Sequence, residues 1–536
     1  MRKSRHLWLL SLLAIFMLVL AACAGDGQPK DGSGEGGGHL IITVGADVVS
    51  LSTHGSNDVP SSNVQENIYE TLTVLDENQQ IQPGLAESWD EVDDTTWDFH
   101  LREGVKFHDG EMLTAEAVKA NFDRLKDPRI GSPRAFLLDQ VTEVEVVGDL
   151  TVRLHLEYAY APLLSNLAHN GAGIMSPKII EEDYAQLVEK DDDNNNNEVQ
   201  EGDPDAYINQ NPAGTGPFKY KEWVPGSKVV LERYDDYWGD VAKLDSVEFK
   251  VVSEQSTRVA ELETGASHVA DGIGPHNIDL VNSMENASAL QIPSVSLNYI
   301  GFNVQKEPFN DVRVRQAVSM AINKEDIIEG VYDNVGIPAI GPLAPLVFGF
   351  DENVSGLEYD VEKAKELLAE AGYADGFKTS IWTNDNEQRM DTAIAVQSQL
   401  AELGIEVVID ELEWGAYLER TANGEHDMFI LGWSTVTSDA DYGMYPLFHS
   451  SQQGSAGNRS FLEDPEVDRV LEAARQETDS DERQKLYSEA QELLVDLAPM
   501  LYLQHGEHLV GVSDKVKDFT VDAQGIYQFK QAYIEE

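Results

Sequence analysis

The sequence predicts a mixed α/β protein built from two or three domains, and three observations lead to this prediction. At 536 residues the chain is longer than one compact core requires. Short runs that alternate polar and apolar residues occur in its first third, as in half-exposed strands. Further on, helical periodicities alternate with short apolar runs, which is typical of an α/β domain with a buried sheet.

The first strands are predicted from these runs. Residues 40–44 (LIITV) indicate a short buried strand, and residues 96–101 (TWDFHL) alternate as a half-exposed strand should. Residues 144–147 and 151–156 indicate two more strands, and the turn between them is expected at Gly148 and Asp149.

Helical signals strengthen in the second half of the chain. Asp360 can cap a helix that ends at Gly372, since glycine commonly terminates helices. A second helix is predicted before Gly404, and an amphipathic helix over residues 481–497. Strands are expected at residues 405–409 (IEVVI) and 427–433 (DMFILGW).

The charge balance is strongly acidic. The chain has 95 Asp and Glu residues against 38 Lys and Arg residues, which gives a formal net charge of −57. A phosphate backbone needs a compensating basic surface, so nucleic acid is not an expected partner. Because hydrophobic residues at 42% and aromatic residues at 8% are normal for a globular protein, the acidity is interpreted as a solvated surface suited to an exterior environment.

The first residues are typical of an export signal. A basic segment, residues 1–6, precedes an apolar run at residues 7–20, which is shorter than the roughly 20 residues of a membrane span. Residues 20–23 (LAAC) resemble the bacterial lipobox, in which the cysteine is lipidated and becomes the mature N-terminus. The sequence thus predicts a signal peptide over residues 1–22 and a lipid anchor at Cys23 on the outer face of the membrane. An ordinary signal peptide with a free cysteine is the alternative.

Two segments are predicted to lack a packed fold. Residues 23–39 are rich in glycine and are expected to tether the folded body. Residues 190–204 are acidic and rich in asparagine, and are interpreted as a solvated insertion. Cys23 is the single cysteine, so no intrachain disulfide is expected.

No motif argues for an enzyme. The chain lacks the Gly-x-Ser-x-Gly, Walker and His-Glu-x-x-His patterns. The histidines at positions 100, 108, 505 and 508 fit no standard metal site. A carboxylate pair of the glycosidase type is neither located nor excluded. We therefore predict no catalytic residue, no cofactor and no metal.

Several blocks of sequence occur in the order found in one known family. The blocks are residues 86–89 (AESW), 96–110 (TWDFHLREGVKFHDG), 114–118 (TAEAV), 214–218 (GTGPF), 234–239 (YDDYWG), 299–303 (YIGFN), 309–324 (FNDVRVRQAVSMAINK), 359–373, 457–458 (GN) and 464–468 (DPEVD). Over residues 40–530 the chain closely resembles the peptide/nickel class of ABC-transporter solute-binding proteins.

The resemblance implies a periplasmic-binding-protein-like fold in which two lobes close on a solute about a hinge, with an extra third domain of the peptide-binding type. It implies a first lobe over residues 40–75, 205–298 and 505–536, an extra domain over residues 76–204, and a second lobe over residues 299–504. Bound solute would favour the closed state. The implied partners are a short peptide and the membrane permease, and a monomer is expected.

The resemblance also implies how a peptide would be held. In relatives, an aspartate in the loop after Gly432 and Trp433 receives the α-ammonium of the peptide. Asp439 and Asp441 both fit this position, and Asp439 is favoured. The alternative is that one of them caps the helix expected to begin near residue 442.

Other residues are candidates for the rest of the pocket. Trp433 and Trp414 could wall it, with core packing as the alternative. Arg134 and Arg389 are the candidate cations for the opposite end of the solute.

Residues 432–442 and 446–448 most resemble the branch that binds glutathione or similarly short peptides. One departure is residues 51–53 (LST), where the family has Leu-Asp-Pro. A nickel-chelate or other small-solute receptor of the same family is the alternative, and an extracellular hydrolase a remote one.

Overall fold

The structure of the protein is a computed structural model that describes residues 37–76, 79–187 and 204–535. Gly38–Glu536 forms one compact unit. The predicted signal peptide, the predicted lipid anchor at Cys23, most of the predicted tether at 23–39 and most of the predicted insertion at 190–204 lie outside the described residues.

The first sheet has seven strands and is mostly antiparallel. Its strand His39–Val44 runs parallel to both neighbours, and Leu40 and Ile42 on this strand are completely buried, as the apolar run predicts. The strands are, in spatial order, Ala287–Pro293, Glu507–Ser513, Val269–Asp271, His39–Val44, Ser246–Val251, Lys228–Arg233 and Phe218–Val224.

The second sheet has six strands, three of which are parallel to one another. The predicted strands at 405–409 and 427–433 are confirmed as two of these three. In spatial order the strands are Ile337–Pro338, Met500–His505, Ser296–Phe302, Met428–Ser434, Lys378–Asn384 and Glu406–Leu412.

A third, four-stranded antiparallel sheet contains the strands predicted from alternation in the first third of the chain. Phe99, Leu101, Val152 and Leu154 point into its core, while the residues between them are partly exposed. The strands are Ala86–Asp93, Thr96–Leu101, Thr151–Leu156 and Val141–Gly148. Three short two-stranded ribbons complete the strands of the described residues: Thr73–Leu75 with Ile81–Pro83, Val516–Lys517 with Tyr533–Ile534, and Thr520–Val521 with Tyr527–Gln528.

The helices follow the capping rules that the sequence suggested. Asp360 accepts a hydrogen bond from the Lys363 N–H at 2.9 Å, and the helix predicted at 481–497 is Ser480–Leu497. The other helices of eight or more residues in the described ranges are Val59–Ile68, Ala115–Leu125, Pro177–Gln186, Gln255–Thr264, Val312–Met320, Lys324–Tyr332, Val361–Glu370, Glu387–Leu400, Trp414–Ala422, Ala440–Phe448 and Pro465–Gln476.

No helix in the part of the chain that the structure describes is both long and apolar enough to span a membrane.

The chain passes between the first and second sheets at two adjacent points. One crossing is at Ser294 and Val295, between the strands Ala287–Pro293 and Ser296–Phe302, and the other is at Gly506. The Ser294 N–H and hydroxyl both donate to the Gly506 carbonyl, at 3.3 and 2.8 Å. The two crossings are thus bonded to each other, as in a hinge made of paired strands. The predicted lobe boundaries fall a few residues from these crossings and remain a prediction.

A buried ion network fixes both ends of the stretch that contains the predicted insertion. Arg124 is completely buried and donates to Asp183 at 2.6 Å and to Asp205 at 2.9 Å. Its other terminal nitrogen lies 3.1 Å from His54 Nδ1. Because Asp183 and Asp205 flank residues 188–203, the network holds the two ends of that stretch together.

We expect Arg124→Met to destabilise the protein by about 3–5 kcal/mol, because it leaves two buried carboxylates without their cation. Arg129→Met is the matched control, since Arg129 pairs with Asp127 while 65% of its side chain is exposed, and its loss should cost about 1 kcal/mol or less. Urea unfolding followed by circular dichroism measures both. Equal losses for the two variants would contradict the proposed importance of the buried network.

Candidate functional site

Three parallel strands of the second sheet end at one edge, and polar residues follow them. In open α/β sheets, ligands bind beyond the carboxyl ends of the strands. The first-lobe turn at 522–528 reaches this edge, where the Ser434 hydroxyl donates to the Gln524 carbonyl at 3.5 Å. The strands are Lys378–Asn384, Glu406–Leu412 and Met428–Ser434.

Arg389 and Trp414, two of the predicted site residues, come together at this edge. The Arg389 guanidinium lies 5.5 Å from the centre of the Trp414 ring and donates to Asn384 Oδ1 at 2.9 Å. Asn386 caps the helix that carries Arg389 and so fixes its start. No Asp or Glu in the described ranges forms an ion pair with Arg389, so its charge can still receive an anion.

The glycine at position 432 leaves room beside Arg389. A side chain on Gly432 would lie 3.8 Å from Arg389 Nη2 and 3.2 Å from Asn298 Oδ1. The absence of a side chain at Gly432 therefore keeps open the space between the central strand and the guanidinium.

Arg459 is a second arginine in this region, which sequence reasoning missed. It is 5% exposed, and its guanidinium forms no hydrogen bond or ion pair with any residue that the structure describes. Burial lowers the pKa of Arg459, and the nearby phenols of Tyr299 and Tyr417 partly oppose this. The only hint in the sequence is its place directly after the family-like block at 457–458.

Two aromatic donors, one of them on the ring that Arg389 contacts, also lack acceptors. The Tyr299 hydroxyl and the Trp414 indole nitrogen are buried without a hydrogen-bond partner. Burial raises the pKa of Tyr299 to about 12, and the positive charges of Arg459 and Arg389 oppose the rise.

Asp439 is held inside the second lobe. It caps the helix Ala440–Phe448 by accepting a hydrogen bond from the Asp441 N–H at 2.9 Å, so the capping alternative is confirmed for this residue. Arg483 binds both of its carboxylate oxygens, at 2.6 and 2.7 Å. The charge of Asp439 is therefore compensated within the protein, and its contact with a solute ammonium stays a prediction.

Asp441 is likewise paired. It lies 3.0 Å from Arg475 Nε and accepts a hydrogen bond of 3.0 Å from the Tyr160 hydroxyl. Burial raises the pKa of Asp441, and Arg475 opposes the rise. Tyr160 belongs to the part of the chain that forms the third sheet, so its hydrogen bond to Asp441 joins that part to the second lobe.

The remaining predicted residues lie away from open space. Trp433 is 9% exposed, and its indole N–H donates to the Tyr442 carbonyl at 2.9 Å, which fits the core-packing alternative. Arg134 is 1% exposed, and it donates to the Thr53 carbonyl and to the side chains of Ser62 and Gln65. Ligand contacts by Trp433 and Arg134 stay predictions.

Glu66 is an acid that sequence reasoning also missed. It lies on the helix Val59–Ile68, is partly buried, and has no hydrogen bond or ion pair with any described residue. Burial raises the pKa of Glu66 to about 8, the nearby Asp522 adds to the rise, and Arg134 opposes it. Asp522 starts the turn that touches Ser434, so the two acids lie on the first-lobe side of the strand edge.

Hydrogen bonds join the lobes around this region. The Ser438 hydroxyl donates to Gln79 Oε1 at 2.5 Å, and Gln524 Nε2 donates to Ser438 Oγ at 2.9 Å. His169 Nε2 and the Tyr442 hydroxyl are 2.9 Å apart. These contacts connect the predicted extra domain and the two predicted lobes.

Within residues 37–76, 79–187 and 204–535, no group of three or more His, Cys, Asp or Glu side chains is arranged to hold a metal ion.

Comparisons with known proteins agree with the fold. Residues 80–455 match the family model of bacterial extracellular solute-binding proteins, family 5 Middle. The dipeptide-binding protein of Escherichia coli strain K12 is 32% identical over 533 residues, covering 94% of this chain and 94% of the relative. The glutathione-binding protein GsiB of Pectobacterium atrosepticum is 32% identical over 508 residues, covering 92% and 94%.

A solved structure extends the likeness to three dimensions. The periplasmic binding protein DppA of Helicobacter pylori, in complex with the peptide STSA, superposes with a TM-score of 0.86 at 30% identity, covering 94% of this chain and 99% of that protein. The predicted two-lobed, multi-domain, periplasmic-binding-protein-like fold is thereby confirmed. The chain belongs to family 5 of the bacterial extracellular solute-binding proteins.

Proposed function

We propose that the protein is the solute-binding component of an ABC importer that captures a short peptide, of the dipeptide or glutathione class, between its two lobes and delivers it to a membrane permease. The observation that carries the proposal is Arg389, a cation at the carboxyl edge of the second sheet that has no carboxylate partner among the residues the structure describes. The dipeptide and glutathione receptors among its relatives support the same solute class.

Arg389 is the proposed partner of the peptide carboxylate. A guanidinium presents parallel N–H groups that match a carboxylate in two hydrogen bonds. Its contact with the Trp414 ring and its bond to Asn384 hold the guanidinium before the solute arrives. The Arg389 side chain then loses less conformational entropy on binding, which increases the affinity for the solute.

Glu66 is the proposed partner of the peptide ammonium. Asp439 and Asp441 already bind arginines, whereas Glu66 has no partner among the described residues and lies beside Asp522. An arriving ammonium would favour the ionised form of Glu66 and form a charge-assisted hydrogen bond with it.

The lipid anchor is proposed from the sequence around Cys23. A diacylglycerol there, followed by the glycine-rich residues 24–38, would keep the lobes within reach of a permease at the outer face of the membrane.

Arg389→Met should weaken binding of trialanine by about 10- to 100-fold, because hydrogen bonds to a charged group contribute about 1.5–3 kcal/mol. Isothermal titration calorimetry measures the affinities of trialanine and its C-terminal amide for both proteins. The wild type should prefer the free carboxylate, and the variant should bind the two peptides alike.

Arg469→Met is the control for this experiment, because Arg469 is exposed and pairs with Glu466 and Glu489. Its peptide affinity should equal that of the wild type. If no peptide binds the wild type while nickel–histidine raises its melting temperature, the proposed solute class is wrong.

Glu66→Gln should remove the preference for a free-amine peptide over its N-acetylated form, whereas Asp439→Asn should keep that preference. The reverse result would assign the ammonium to Asp439. A pH series gives a second test, because the pKa of Glu66 is about 8 in the folded protein and about 4.3 in an unfolded chain.

The folded state therefore holds more protons than the unfolded state between these two values, and stability falls as pH rises through that window. Glu66→Gln should raise the melting temperature relative to the wild type near pH 9 and leave a smaller difference near pH 5. Glu329→Gln, at an exposed position, is the control. If the difference in melting temperature between Glu66→Gln and the wild type does not change with pH, the raised pKa of Glu66 is contradicted.

Cys23→Ser should release the full-length protein from the membrane fraction into the medium or periplasm. The variant would lack the acyl chains at Cys23, and stable anchoring of a protein to a membrane needs two or more membrane-binding signals such as these chains. Incorporation of labelled palmitate followed by fractionation measures this. If the Cys23→Ser variant still incorporates labelled palmitate, the acyl chains are attached to a residue other than Cys23.

A further inference from the structure

Tyr160, in the predicted extra domain, contacts a buried ion pair of the second lobe. Its hydroxyl donates to Asp441 Oδ2 at 3.0 Å and accepts a hydrogen bond of 2.8 Å from Arg475 Nη2. Asn166, in the same domain as Tyr160, also donates to this hydroxyl, at 2.7 Å. A phenolic hydroxyl can donate and accept, and here both capacities are used on the ion pair. Tyr160 is 4% exposed and Arg475 is completely buried, so the contact is sheltered from water.

Two further hydrogen bonds lie at the same boundary. The Ala161 N–H donates to the Arg475 carbonyl at 3.1 Å. His169 Nε2 lies 2.9 Å from the Tyr442 hydroxyl, and His169 Nδ1 accepts the Gly171 N–H at 2.8 Å. Burial lowers the pKa of His169 well below its ordinary value, so the ring is neutral, and with Nδ1 accepting it is Nε2 that donates. The extra domain thus bonds the second lobe through both its backbone and its side chains.

The path of the chain fixes the extra domain to the first lobe. The third sheet is inserted in the chain between the strands His39–Val44 and Phe218–Val224, which both belong to the first sheet. The His108 N–H donates to the Gly214 carbonyl at 2.9 Å, and the buried ion network of Arg124 adds to this attachment. We therefore expect the extra domain to move together with the first lobe.

The contacts of Tyr160 cross a boundary that can move. The second sheet is joined to the first by the two adjacent crossings at residues 294–295 and 506. A rotation about these crossings moves the second lobe relative to the first lobe and to the extra domain fixed on it. The ion pair of Asp441 and Arg475 lies wholly within the second lobe, so separation removes Tyr160 from the pair and lets water replace its hydroxyl. Because water can satisfy all three groups, the contact can break and form again.

We propose that Tyr160 is a latch between the extra domain and the second lobe, which forms when a solute closes the lobes and breaks when they open. This inference rests on the proposed function and adds to it a residue that sets affinity without touching the solute. Since the latch contributes only to the closed state, it changes the affinity for every solute by the same factor. A residue that binds the solute, as proposed for Arg389, changes affinities selectively instead.

Tyr160→Phe removes the hydroxyl and keeps the ring. Its affinity for trialanine should fall about tenfold, because hydrogen bonds to charged groups are lost in the closed state alone. Isothermal titration calorimetry measures this affinity and that for the C-terminal amide of trialanine. The ratio of the two affinities should stay as in the wild type. Unchanged affinity, or a changed ratio, would overturn the inference.

Tyr184→Phe is the matched control. The Tyr184 hydroxyl donates to Asp127 Oδ2 at 2.8 Å, and both residues belong to the extra domain. This variant loses the same kind of bond without affecting the boundary, so its affinity for trialanine should equal that of the wild type. An equal loss of affinity in Tyr184→Phe and Tyr160→Phe would assign the effect to the stability of the domain and overturn the inference.

Hydrogen exchange tests the latch in the free protein. The Ala161 N–H bonds across the boundary, whereas the Asn166 N–H bonds to the Pro162 carbonyl at 2.9 Å within the extra domain. After correction for intrinsic rates, Ala161 should exchange about tenfold faster than Asn166, because local opening exposes the first amide alone. Equal protection would reveal a permanent interface and overturn the inference.

Saturating trialanine should slow the exchange of Ala161 and leave that of Asn166 unchanged. A bound peptide that does not slow Ala161 would overturn the inference while leaving the proposed function intact. If no peptide binds the wild type, the proposed function fails, whereas fast exchange of Ala161 in the free protein still supports a contact that opens.

Discussion

Two buried ion pairs, Asp439 with Arg483 and Asp441 with Arg475, determine the course of the loop that follows the central strand of the second sheet. Burying such pairs gains little stability over apolar packing, but each pair penalises any arrangement that separates its partners. The loop is therefore fixed to the helices Pro465–Gln476 and Ser480–Leu497. The fixed loop places Ser438 within hydrogen-bond distance of Gln524 and Gln79. The contact between the lobes depends on these hydrogen bonds.

Positive charge is scarce in this protein, and its distribution follows a rule. With 38 basic residues against 95 acidic ones, a cation placed in the interior can readily find a carboxylate, as Arg124 finds Asp183 and Asp205. Other buried arginines bind neutral oxygen acceptors instead, as Arg134, Arg258 and Arg315 do, whereas the Arg459 side chain has neither kind of partner among the described residues. The overall field repels anions at long range and is screened beyond a Debye length of about 8 Å. Recognition of a carboxylate must then depend on short-range donors such as the Arg389 guanidinium.

Sequence reasoning succeeded where the information is local and failed where it depends on partners distant in the chain. The strand Thr96–Leu101 and the cap at Asp360 were predictable because alternation and capping involve neighbouring residues. Arg389 and Trp414 were recognised as candidates, but the contact between them was not. Asp439 was expected to receive the ammonium of a peptide or to cap a helix, and its pairing with Arg483 was not foreseen, because the two residues are 44 positions apart in the chain. Glu66 and Arg459 were missed for the same reason. The sequence shows which residues are charged, but only the folded structure shows whether a charged side chain has a partner.

Under the proposed function, the two lobes present different ionisable groups to the solute, acids on the first lobe and arginines on the second. Glu66 and Asp522 lie on the first lobe, and Arg389 and Arg459 on the second. A ligand shifts a conformational equilibrium only by the difference between its affinities for the two states. A solute with a single charge would engage one lobe and gain nothing from closure, whereas a zwitterionic peptide spans both and gains its second contact only when they meet. The free energy of that second contact is what favours the closed state, so the separation of charge between the lobes would make closure itself selective for peptides with both termini free.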